Sequence, residues 1–558
     1  MSSSATTAVS TASSVAGRID GSSLAAALDD WTALLGPAHV VRDSGSLTSA
    51  SAATFPTTGR VRAIIRPATR DDVQACVRIA NRHRVAIYPV SSGKNWGYGS
   101  RAPVADGTLL DLARLNRIVD YDENLAYVTI EPGVTQRQLH QFLRDQQSRL
   151  WMDATGASPD CSIIGNTMER GFGHTPMGDH CANACGFEVV LPNGEVVETG
   201  FARFANAKTG ALSRWGVGPS LDGLFAQSNF GIVTRMTVWL MPAPEYFQAF
   251  YFACPDDRGL AAIIDALRPL RLNGTLRSIS HIGNDYKVLN ATSQYPWETS
   301  PQTPLGRPAV MDVRRQQGFG SWNGSGGLYG TRAQVRDARR QLKRALKGKV
   351  QHLHFLDDRT IAILDRFAAP LRFVLGWDVR RMLKVIAPVY NLMKGVPADG
   401  TVVSAYWRKK ERPPLNPDPD RDRCGLLWCS PVVPNTGAHA TEVTDLASDL
   451  MLSHGFEPQI SISLATERSL ICVITISYDR SVDGEDERAM RCYRALTAQL
   501  IARGYPPYRL NVSSMGFVDD QTAYSTVLRD LKSALDPNGV LAPGRYEPSP
   551  QSCPRLQP

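Results

Sequence analysis

A short polar loop constrains the fold of this chain more than any other stretch. It reads SSGKNWG, at residues 91–97, and it follows the apolar run VAIYPV at residues 85–90. Small residues placed after a buried strand let backbone amides approach an anion such as a phosphate. The loop nevertheless lacks the spacing of a Walker A loop and that of the dinucleotide-binding G-x-G-x-x-G motif. It is therefore a candidate phosphate site of a different kind.

The residues around this loop alternate between helical and strand patterns. Apolar side chains recur at helical spacing in residues 71–84 and again in residues 135–146. Short strands are expected between and after these helices, at 85–90, 107–112 and 125–130. Glycines then become dense from Gly156 to Gly186, but apolar residues interrupt them. This mixture favours backbone packed tightly against something flat or bulky.

The sequence changes character after Met241-Pro242-Ala243-Pro244, which is typical of a linker. Basic helical runs follow, and we interpret the run at 339–349 as a solvated helix face. The later pattern is α+β, with strands expected at 426–433 and 469–477 and helices at 440–454 and 527–535. A second domain is therefore expected to begin near residue 245.

Composition argues against several classes of function. The net charge of +8 is modest for 558 residues, and no nucleic-acid-binding motif is present. No stretch approaches the ~18 apolar residues of a membrane span. The N-terminal residues are rich in Ser, Ala and Thr and lack the apolar core of a secretory signal, so we expect a cytoplasmic protein. Ten irregularly spaced cysteines are expected to be free thiols, and no metal site is expected.

Six motifs together carry a family resemblance. In chain order they read SSGKNWGYGSRAP, EPGVTQRQL, SIIGNTMERGFGHTPMGDH, GFEVVLPNGEVVETG, LFAQSNFGIVTRMTVWLMP and LDPNGVLAPGR. This set resembles the vanillyl-alcohol oxidase/4-cresol methylhydroxylase family of flavoenzymes. The resemblance covers residues 62–244 and the C-terminal segment well, and the middle of the chain less well.

The resemblance implies an α+β protein with a non-Rossmann FAD-binding domain that is assembled from both chain ends, together with a cap domain. We accordingly expect a disordered tail at 1–30, a first FAD-binding segment at 31–244, a cap or substrate domain at 245–502 and a returning segment at 503–558. The loop at 91–97 would hold the FAD pyrophosphate, and the glycine-rich run would lie along the isoalloxazine ring and the ribityl chain.

FAD contacts are expected at particular residues of these motifs. They are Ser91, Ser92, Gly93, Lys94, Asn95, Trp96, Gly97, Gly156, Ser162, Ile163, Gly165, Asn166, Glu169, Gly173, Ile232 and Arg545. For Lys94, a surface position away from the phosphate is an equally open alternative. Arg545 matches a basic residue that the family keeps near the flavin, where a cation stabilises the reduced ring.

The resemblance also implies a reaction. Members of the family oxidise para-substituted phenols, which bind as phenolates and lose a hydride from the benzylic carbon to flavin N5, leaving a quinone methide. Tyr98, Tyr508 and Arg509 match the family's phenolate-binding cluster. A non-phenolic alcohol as substrate, or an inactive flavin-binding protein, are the alternatives.

The chain departs from the family pattern at the positions of the catalytic base, the residue that accepts a proton from the substrate. The position of an aspartate used by some oxidases is occupied by Ala157, and Asp160 is out of register. The carboxylate and histidine of the dehydrogenase branch correspond to Ser461 and Leu470. Glu467 lies between those two positions and is the nearest substitute for a catalytic base.

The last expectations concern how the flavin is attached to the protein and which partners the protein has. No histidine occurs in the late strand ATERSLICVI, where the oxidase branch attaches its flavin. The methylhydroxylase branch attaches FAD through a tyrosine earlier in the cap, and the resemblance implies Tyr406 as the candidate for that bond. Noncovalent FAD, or a tyrosine that is only part of a strand, are the alternatives. The expected partners are a small phenolic substrate and an electron acceptor, either oxygen or a cytochrome. We also expect a homodimer or a larger oligomer.

Overall fold

The computed structural model describes residues 21–368, 379–518 and 522–548. Its first helix spans Gly21–Leu35, so the disorder expected for residues 21–30 is wrong; residues 1–20 lie outside the described ones. Ala27, Leu28 and Trp31 form the buried face of this helix. The indole Nε1 of Trp31 donates to the carbonyl oxygen of Cys76 at 3.2 Å. The small residues around this apolar stripe conceal it in the sequence, but its burial orders the helix.

The first sheet has four strands, three of which run parallel to one another. Their order is Val40–Val41, Val61–Ile65, Gly107–Asp111 and Ile87–Val90. Helix Arg70–His83 precedes the Ile87–Val90 strand and begins with a capping box formed by Thr69 and Asp72. The helix and strands predicted here are confirmed, with shifts of one or two residues at their ends.

The second sheet has five antiparallel strands. Their order is Ile118–Asp122, Tyr127–Ile130, Ile232–Trp239, Ala184–Val190 and Val196–Glu198. The predicted helix at 135–146 is confirmed as Gln136–Asp145, and it packs its leucines into the apolar core of this sheet. Met241–Pro242 is not a free linker, because it pairs with Leu150–Trp151 in a small separate ribbon.

The third sheet is antiparallel. In chain order, its first strand is the one that directly follows this ribbon. Its order is His352–Leu356, Tyr246–Cys254, Trp322–Gly330, His281–Asn284, Gln459–Ser463, Ser469–Asp479 and Cys424–Cys429, with Val432–Pro434 also pairing to Ser469–Asp479. Four helices share its apolar core: Leu260–Leu272, Arg332–Leu346, Gly437–Ser453 and Glu485–Ala502. The single strand predicted at 426–433 is divided into two.

The remaining helical elements complete the described chain. The α-helices are Ser44–Ser51, Ile163–Met168, Asp222–Phe225, Asp285–Thr292, Arg307–Gln317, Asp358–Arg366, Val379–Leu392 and Ala523–Leu535, and the 3-10 turns are Pro37–His39, Gly200–Arg203, Asp399–Tyr406 and Met515–Val518. Among the residues that the structure describes, no helix is both long enough and apolar enough to cross a bilayer. The nine described cysteines are free thiols.

The C-terminal segment returns to the first sheet. The backbone N–H of Ile87 donates to Val540 at 2.8 Å, and the carbonyl of Ile87 accepts from Ala542 at 2.8 Å. The backbone N–H of Val512 donates to the carbonyl of Tyr98 at 3.1 Å. Residues from distant parts of the sequence therefore meet beside the loop at 91–97.

Candidate active site

A cavity of about 450 Å³ lies between the third sheet and the first two sheets. Its lining is drawn from Leu112 and from residues 88–103, 132–172, 225–233, 281–287, 402–473 and 508–545. Strands from each of the three sheets therefore reach one enclosed space, which is large enough for part of a cofactor and a small aromatic molecule.

The loop at 91–97 borders this cavity with unsatisfied backbone amides. In the described chain, the amides of residues 92–96 donate to no protein acceptor, whereas the amide of Gly97 donates to Thr54 Oγ1 at 3.0 Å. Gly93 and Gly97 have φ values of 69° and 78°, which favour glycine. A row of free amides beside a cavity can hold a pyrophosphate. The loop therefore fits the predicted role in binding FAD.

The side chain of Lys94 pairs with an acidic residue, so it is not needed for phosphate binding by the loop. Its Nζ lies 3.4 Å from Asp418 and 5.2 Å from the ring centre of Trp96. Ser100 Oγ donates to Asp420 at 2.8 Å, and burial raises the pKa of Asp420 to about 7. The segment at residues 413–422, which is rich in Pro and Asp, thus packs on the loop and supplies an acidic partner for Lys94. The backbone amides are left to meet the phosphate.

The glycine-rich run is packed directly against the loop. Ser162 caps the helix Ile163–Met168, and its Oγ accepts from the amide of Gly165 at 2.9 Å. The amide of Ser162 donates to Ser92 Oγ at 2.9 Å. A Cβ atom on Gly165 would lie 2.6 Å from Ser91 Oγ, so this position requires glycine for the close approach. The predicted contacts on this wall that line the cavity are Gly156, Ser162, Gly165, Asn166, Glu169 and Ile232.

Three predicted cofactor contacts lie behind the lining. Gly97 bonds to Thr54 through its amide, and its carbonyl accepts from the amide of Trp428 at 3.4 Å. Ile163 packs on the apolar core of the second sheet. The space beside Gly173 is filled by Asp153 and Ala154. These residues support the wall of the cavity but are not part of its surface.

Glu169 joins two guanidinium groups at the cavity wall. Its Oε2 accepts from Arg509 Nε at 3.1 Å and from the Tyr546 hydroxyl at 2.9 Å, and its Oε1 binds Arg545. Burial alone would raise the pKa of Glu169, but Arg545 and Arg509 lower it to about 2. The carboxylate therefore stays ionised at neutral pH. Two arginines around one carboxylate leave one net positive charge beside the cavity.

Tyr98, Tyr508 and Arg509 all line the cavity, as the phenolate-binding prediction requires. The guanidinium carbon of Arg509 lies 4.2 Å from the ring centre of Tyr98, and Arg509 Nη2 donates to Asn95 Oδ1 at 2.5 Å. The Tyr98 hydroxyl lies 2.9 Å from Ser430 Oγ. Burial raises the pKa of both tyrosines, so their hydroxyls remain neutral hydrogen-bond donors.

A pair of histidines, not recognised in the sequence, forms another part of the wall. The ring centres of His174 and His281 are 4.4 Å apart, and Phe172 lies 6.4 Å from His281 and 6.1 Å from Tyr508. His281 Nδ1 lies 2.9 Å from Ser463 Oγ, whereas its buried Nε2 has no partner in the described chain. Burial lowers the pKa of both histidines, which favours neutral rings. A neutral imidazole with a free nitrogen can accept a proton.

No local signal identifies His281 as a site residue. Its neighbour Ser463 lies on another strand, and the sheet register pairs the two positions directly. The sequence predicted a catalytic base between Ser461 and Leu470. Ser461 does line the cavity, but Leu470 is buried in the core of the third sheet. The histidine that faces the cavity comes from strand His281–Asn284, whereas Leu470 lies two strands away in Ser469–Asp479.

The carboxylates considered as bases lie away from the cavity lining. The side chain of Glu467, the predicted catalytic base, is 47% exposed, lies 4.0 Å from Arg271 and is not among the described lining residues. Asp160 forms an ion pair with Arg137 at 2.8 Å. Ala157 lines the cavity but has no ionisable group. Among the described lining residues, Glu169 is the only carboxylate, and its charge is held by two arginines.

Tyr406 is also placed differently from its prediction as a flavin attachment site. It is buried in an apolar cluster with Trp96 and Leu426, behind the cavity lining. Its hydroxyl donates to Asp422 Oδ2 at 2.5 Å. A covalent bond would require the phenol oxygen at the flavin ring, whereas here that oxygen is held by Asp422.

We therefore expect acid to release all the flavin from the fully loaded protein. Trichloroacetic acid precipitation should leave a colourless pellet and a yellow supernatant, and Tyr406→Phe should behave like the wild-type protein. Yellow colour retained in the wild-type pellet but lost from that of Tyr406→Phe would contradict this expectation and restore the tyrosyl bond.

Comparisons with known proteins agree with this geometry. A family described as FAD binding domain matches residues 61–200. The chain is 46% identical over 525 residues to the 1'-carboxy-chondrochloren decarboxylase of Chondromyces crocatus, covering 93% of this chain and 97% of that protein. It is 31% identical over 536 residues to the 4-cresol dehydrogenase [hydroxylating] flavoprotein subunit of Pseudomonas putida, covering 93% and 94%.

Solved structures show the same fold along nearly the whole chain. A p-cresol methylhydroxylase with substrate bound has a TM-score of 0.84 at 28% identity, covering 95% of this chain and 98% of the other. The 4-ethylphenol oxidase from Gulosibacter chungangensis, in complex with isoeugenol, has a TM-score of 0.86 at 28% identity, covering 96% and 99%.

Proposed function

The chain belongs to the vanillyl-alcohol oxidase/4-cresol methylhydroxylase family of FAD-dependent enzymes, and from that premise we propose that it oxidises para-substituted phenols at the benzylic carbon. The substrates would be 4-alkylphenols or 4-hydroxybenzyl alcohols. The observation that carries this proposal is the net positive cluster of Glu169, Arg509 and Arg545 beside the buried hydroxyls of Tyr98 and Tyr508.

This cluster suits a phenolate in particular. Arg509 offers a permanent positive charge in a desolvated cavity, where it stabilises an oxyanion more strongly than it would in water. The two tyrosines can add neutral hydrogen bonds to the same oxygen. Phe172, His281 and Trp428 give the substrate ring aromatic neighbours. A neutral alcohol or sugar would not use these features.

The protein residues then have separate tasks in the reaction. FAD, when bound, supplies the acceptor for the hydride that leaves the benzylic carbon. Arg509 and the tyrosines hold the negative charge on the phenol oxygen, which favours departure of that hydride and formation of a quinone methide. In the tautomer whose Nδ1–H donates to Ser463 Oγ, the Nε2 atom of His281 is the candidate proton acceptor of the lining, since Glu169 is held by two arginines. Addition of water or loss of a proton then converts the quinone methide to product.

A second candidate reaction is oxidative decarboxylation of a phenol with a carboxylated side chain. It is favoured by the relative whose name is a decarboxylase, at 46% identity over nearly the whole chain. After the hydride leaves, the electron pair of the C–CO₂⁻ bond would form a carbon–carbon double bond and restore the phenolate, releasing CO₂. This route needs no protein base at carbon. It therefore suits a cavity whose described lining has no carboxylate outside the arginine cluster.

The proposed function also requires an electron acceptor for the reduced flavin. Among the relatives, one is named as a flavoprotein subunit of a dehydrogenase and another as an oxidase. We keep both oxygen and a cytochrome as candidate acceptors, and a homodimer or larger oligomer as the proposed assembly. Reoxidation of the reduced protein by air, compared with reoxidation by cytochrome c under argon, distinguishes the two acceptors.

The proposed function predicts that phenols bleach the flavin in the absence of oxygen. Under argon, 4-ethylphenol or 3-(4-hydroxyphenyl)propanoate should abolish the absorbance near 450 nm, whereas the matching 4-methoxyphenyl compounds should not, because they cannot form a phenolate. Product analysis for CO₂ and a vinylphenol separates decarboxylation from hydroxylation. Bleaching by a 2-hydroxy acid or a sugar alone would instead support a non-phenolic substrate. No bleaching by any of these compounds would indicate an inactive flavin-binding protein.

A further inference from the structure

Lys287 contributes a second cationic side chain to the cavity, away from the arginine cluster. It lies in the first turn of the helix Asp285–Thr292, directly after the strand that carries His281. Asn284 caps this helix, and its Oδ1 accepts from the amide of Lys287 at 2.9 Å. Asn284 directly precedes the helix, and its cap fixes the first turn. The position of Lys287 on the cavity wall is therefore well defined.

Among the residues that the structure describes, no carboxylate forms an ion pair with the ammonium group of Lys287. Burial lowers the pKa of Lys287 to about 8, and no neighbouring carboxylate opposes that effect. The adjacent Asp285 is occupied by Arg307 at 2.5 Å and Arg314 at 3.3 Å. Glu169 is occupied by the arginine cluster. Lys287 is therefore a partly buried amine on the cavity wall, without a counter-ion among the described residues.

Such an arrangement is unfavourable unless another group supplies the negative charge. A buried ammonium loses its hydration, and an anion that enters the cavity restores part of that loss through a charge-assisted hydrogen bond. The cavity wall next to Lys287 adds Ser461, which pairs with Gly283 across the sheet. A hydroxyl beside an ammonium suits a carboxylate, which accepts several hydrogen bonds.

We propose that Lys287 recognises a carboxylate on the para side chain of the substrate. The inference rests on the proposed function, since it places the phenol oxygen at Arg509 and the carboxylate at Lys287. The two cations come from different parts of the fold, one from the C-terminal segment and the other from the helix that follows strand His281–Asn284 of the third sheet. The cavity would then orient its substrate by both ends, and the substrate class would be 4-hydroxyphenyl alkanoates.

Ligands that cannot react test this proposal by binding alone. The pair 4-hydroxybenzoate and 4-hydroxybenzamide has the same shape, lacks a benzylic hydrogen and differs in charge. The acid–amide pairs of 4-methoxyphenylacetate and 3-(4-methoxyphenyl)propanoate extend the reach of the charged group without allowing phenolate formation. Dissociation constants are measured by calorimetry on the FAD-loaded protein. At neutral pH, the wild type is expected to bind the acid of at least one pair about 10- to 100-fold more tightly than its amide.

Variants assign this preference to Lys287. Lys287→Met should abolish the preference for the acid and leave the affinity for the amide unchanged, whereas Lys287→Arg should retain the preference. Lys347→Met is the matched control, because Lys347 is exposed on the surface. If Lys287→Met fails to retain FAD, Lys287→Gln takes its place in the same comparison.

Two outcomes would overturn the proposal. One is a wild-type protein without a preference for the acid in any pair. The other is a neutral variant at residue 287, fully loaded with FAD, that keeps the wild-type preference. Failure of the proposed function is a separate result: phenols would not bleach the flavin, although the preference for the acids could still be lost in Lys287→Met.

Discussion

Replacing Arg509 with leucine is expected to slow anaerobic flavin reduction by 4-ethylphenol about 30- to 100-fold at neutral pH. Charge on the phenol oxygen drives the hydride away from the benzylic carbon, so a residue that stabilises this charge acts directly on the rate. At about 4 Å and an effective dielectric constant near 20, a unit charge pair interacts by roughly 4 kcal/mol. Desolvation offsets part of this, leaving about 2–3 kcal/mol, which corresponds to the expected change in rate.

The ion-pair geometry sharpens this expectation. In the leucine variant, Glu169 and Arg545 would still neutralise each other, so the cluster of Glu169, Arg509 and Arg545 would lose its net positive charge without leaving a free carboxylate. Tyr98→Phe should have a smaller effect, because it removes a neutral donor and no charge. Stopped-flow absorbance measures both variants, with Arg503→Leu on the exposed surface as the control. A leucine variant that holds full FAD and reduces at the wild-type rate would remove Arg509 from the site.

Replacing Gly99 with alanine is expected to abolish both FAD retention and phenol-dependent reduction. The backbone of Gly99 has a φ of 122°, which side chains rarely allow. A Cβ atom there would lie 2.6 Å from both methyl groups of Val512. The amide of Val512 bonds to the carbonyl of Tyr98, so the clash would separate the loop from the segment that carries Arg509. The backbone strain alone costs about 1–3 kcal/mol.

Gly218→Ala provides a matched control for this prediction. Gly218 has a φ of 88°, and no atom lies within 4 Å of a Cβ built on it. The control therefore introduces backbone strain without the clash at the cavity. FAD content is measured from the ratio of flavin to protein absorbance after gel filtration, and thermal unfolding is followed in parallel. If Gly99→Ala loses no more FAD than Gly218→Ala does, contact between the loop and Val512 is not required for the site.

Sequence patterns predicted local structure where periodicity was strong and capping was explicit. The helix Arg70–His83 has a regular apolar face and a capping box, and its prediction is accurate to one residue. The helix Gly21–Leu35 was missed, because three buried residues in a Ser- and Ala-rich stretch give a weak pattern. The division of the predicted strand at 426–433 also has no local signal. It depends on how two short strands pair with Ser469–Asp479.

The residues of the candidate site divide in a similar way, into those that motifs predict and those that only the tertiary structure reveals. Tyr98, Tyr508 and Arg509 were predicted from motifs, and the structure brings them to one cavity. His281 and Lys287 were missed, because their role depends on the pairing of His281 with Ser463 and on the absence of an acid near Lys287. Glu467 was predicted from its position between Ser461 and Leu470. The turn that carries Glu467, however, lies at the exposed end of the sheet.

The return of the chain to Ile87 has a consequence for biosynthesis. Val540 and Leu541 belong to the same apolar core as Ile87, and the backbone of Ile87 is paired on this side by residues 540 and 542. While the ribosome is still making the middle of the chain, the first sheet has an unpaired edge and an incomplete core. Until residues 540–542 are made, this edge can pair with other chains, which is a route to aggregation. Leu541, Ala542 and Arg545 also line the cavity, so the complete FAD site needs the C-terminal segment, and flavin loading is expected to be a late step in maturation.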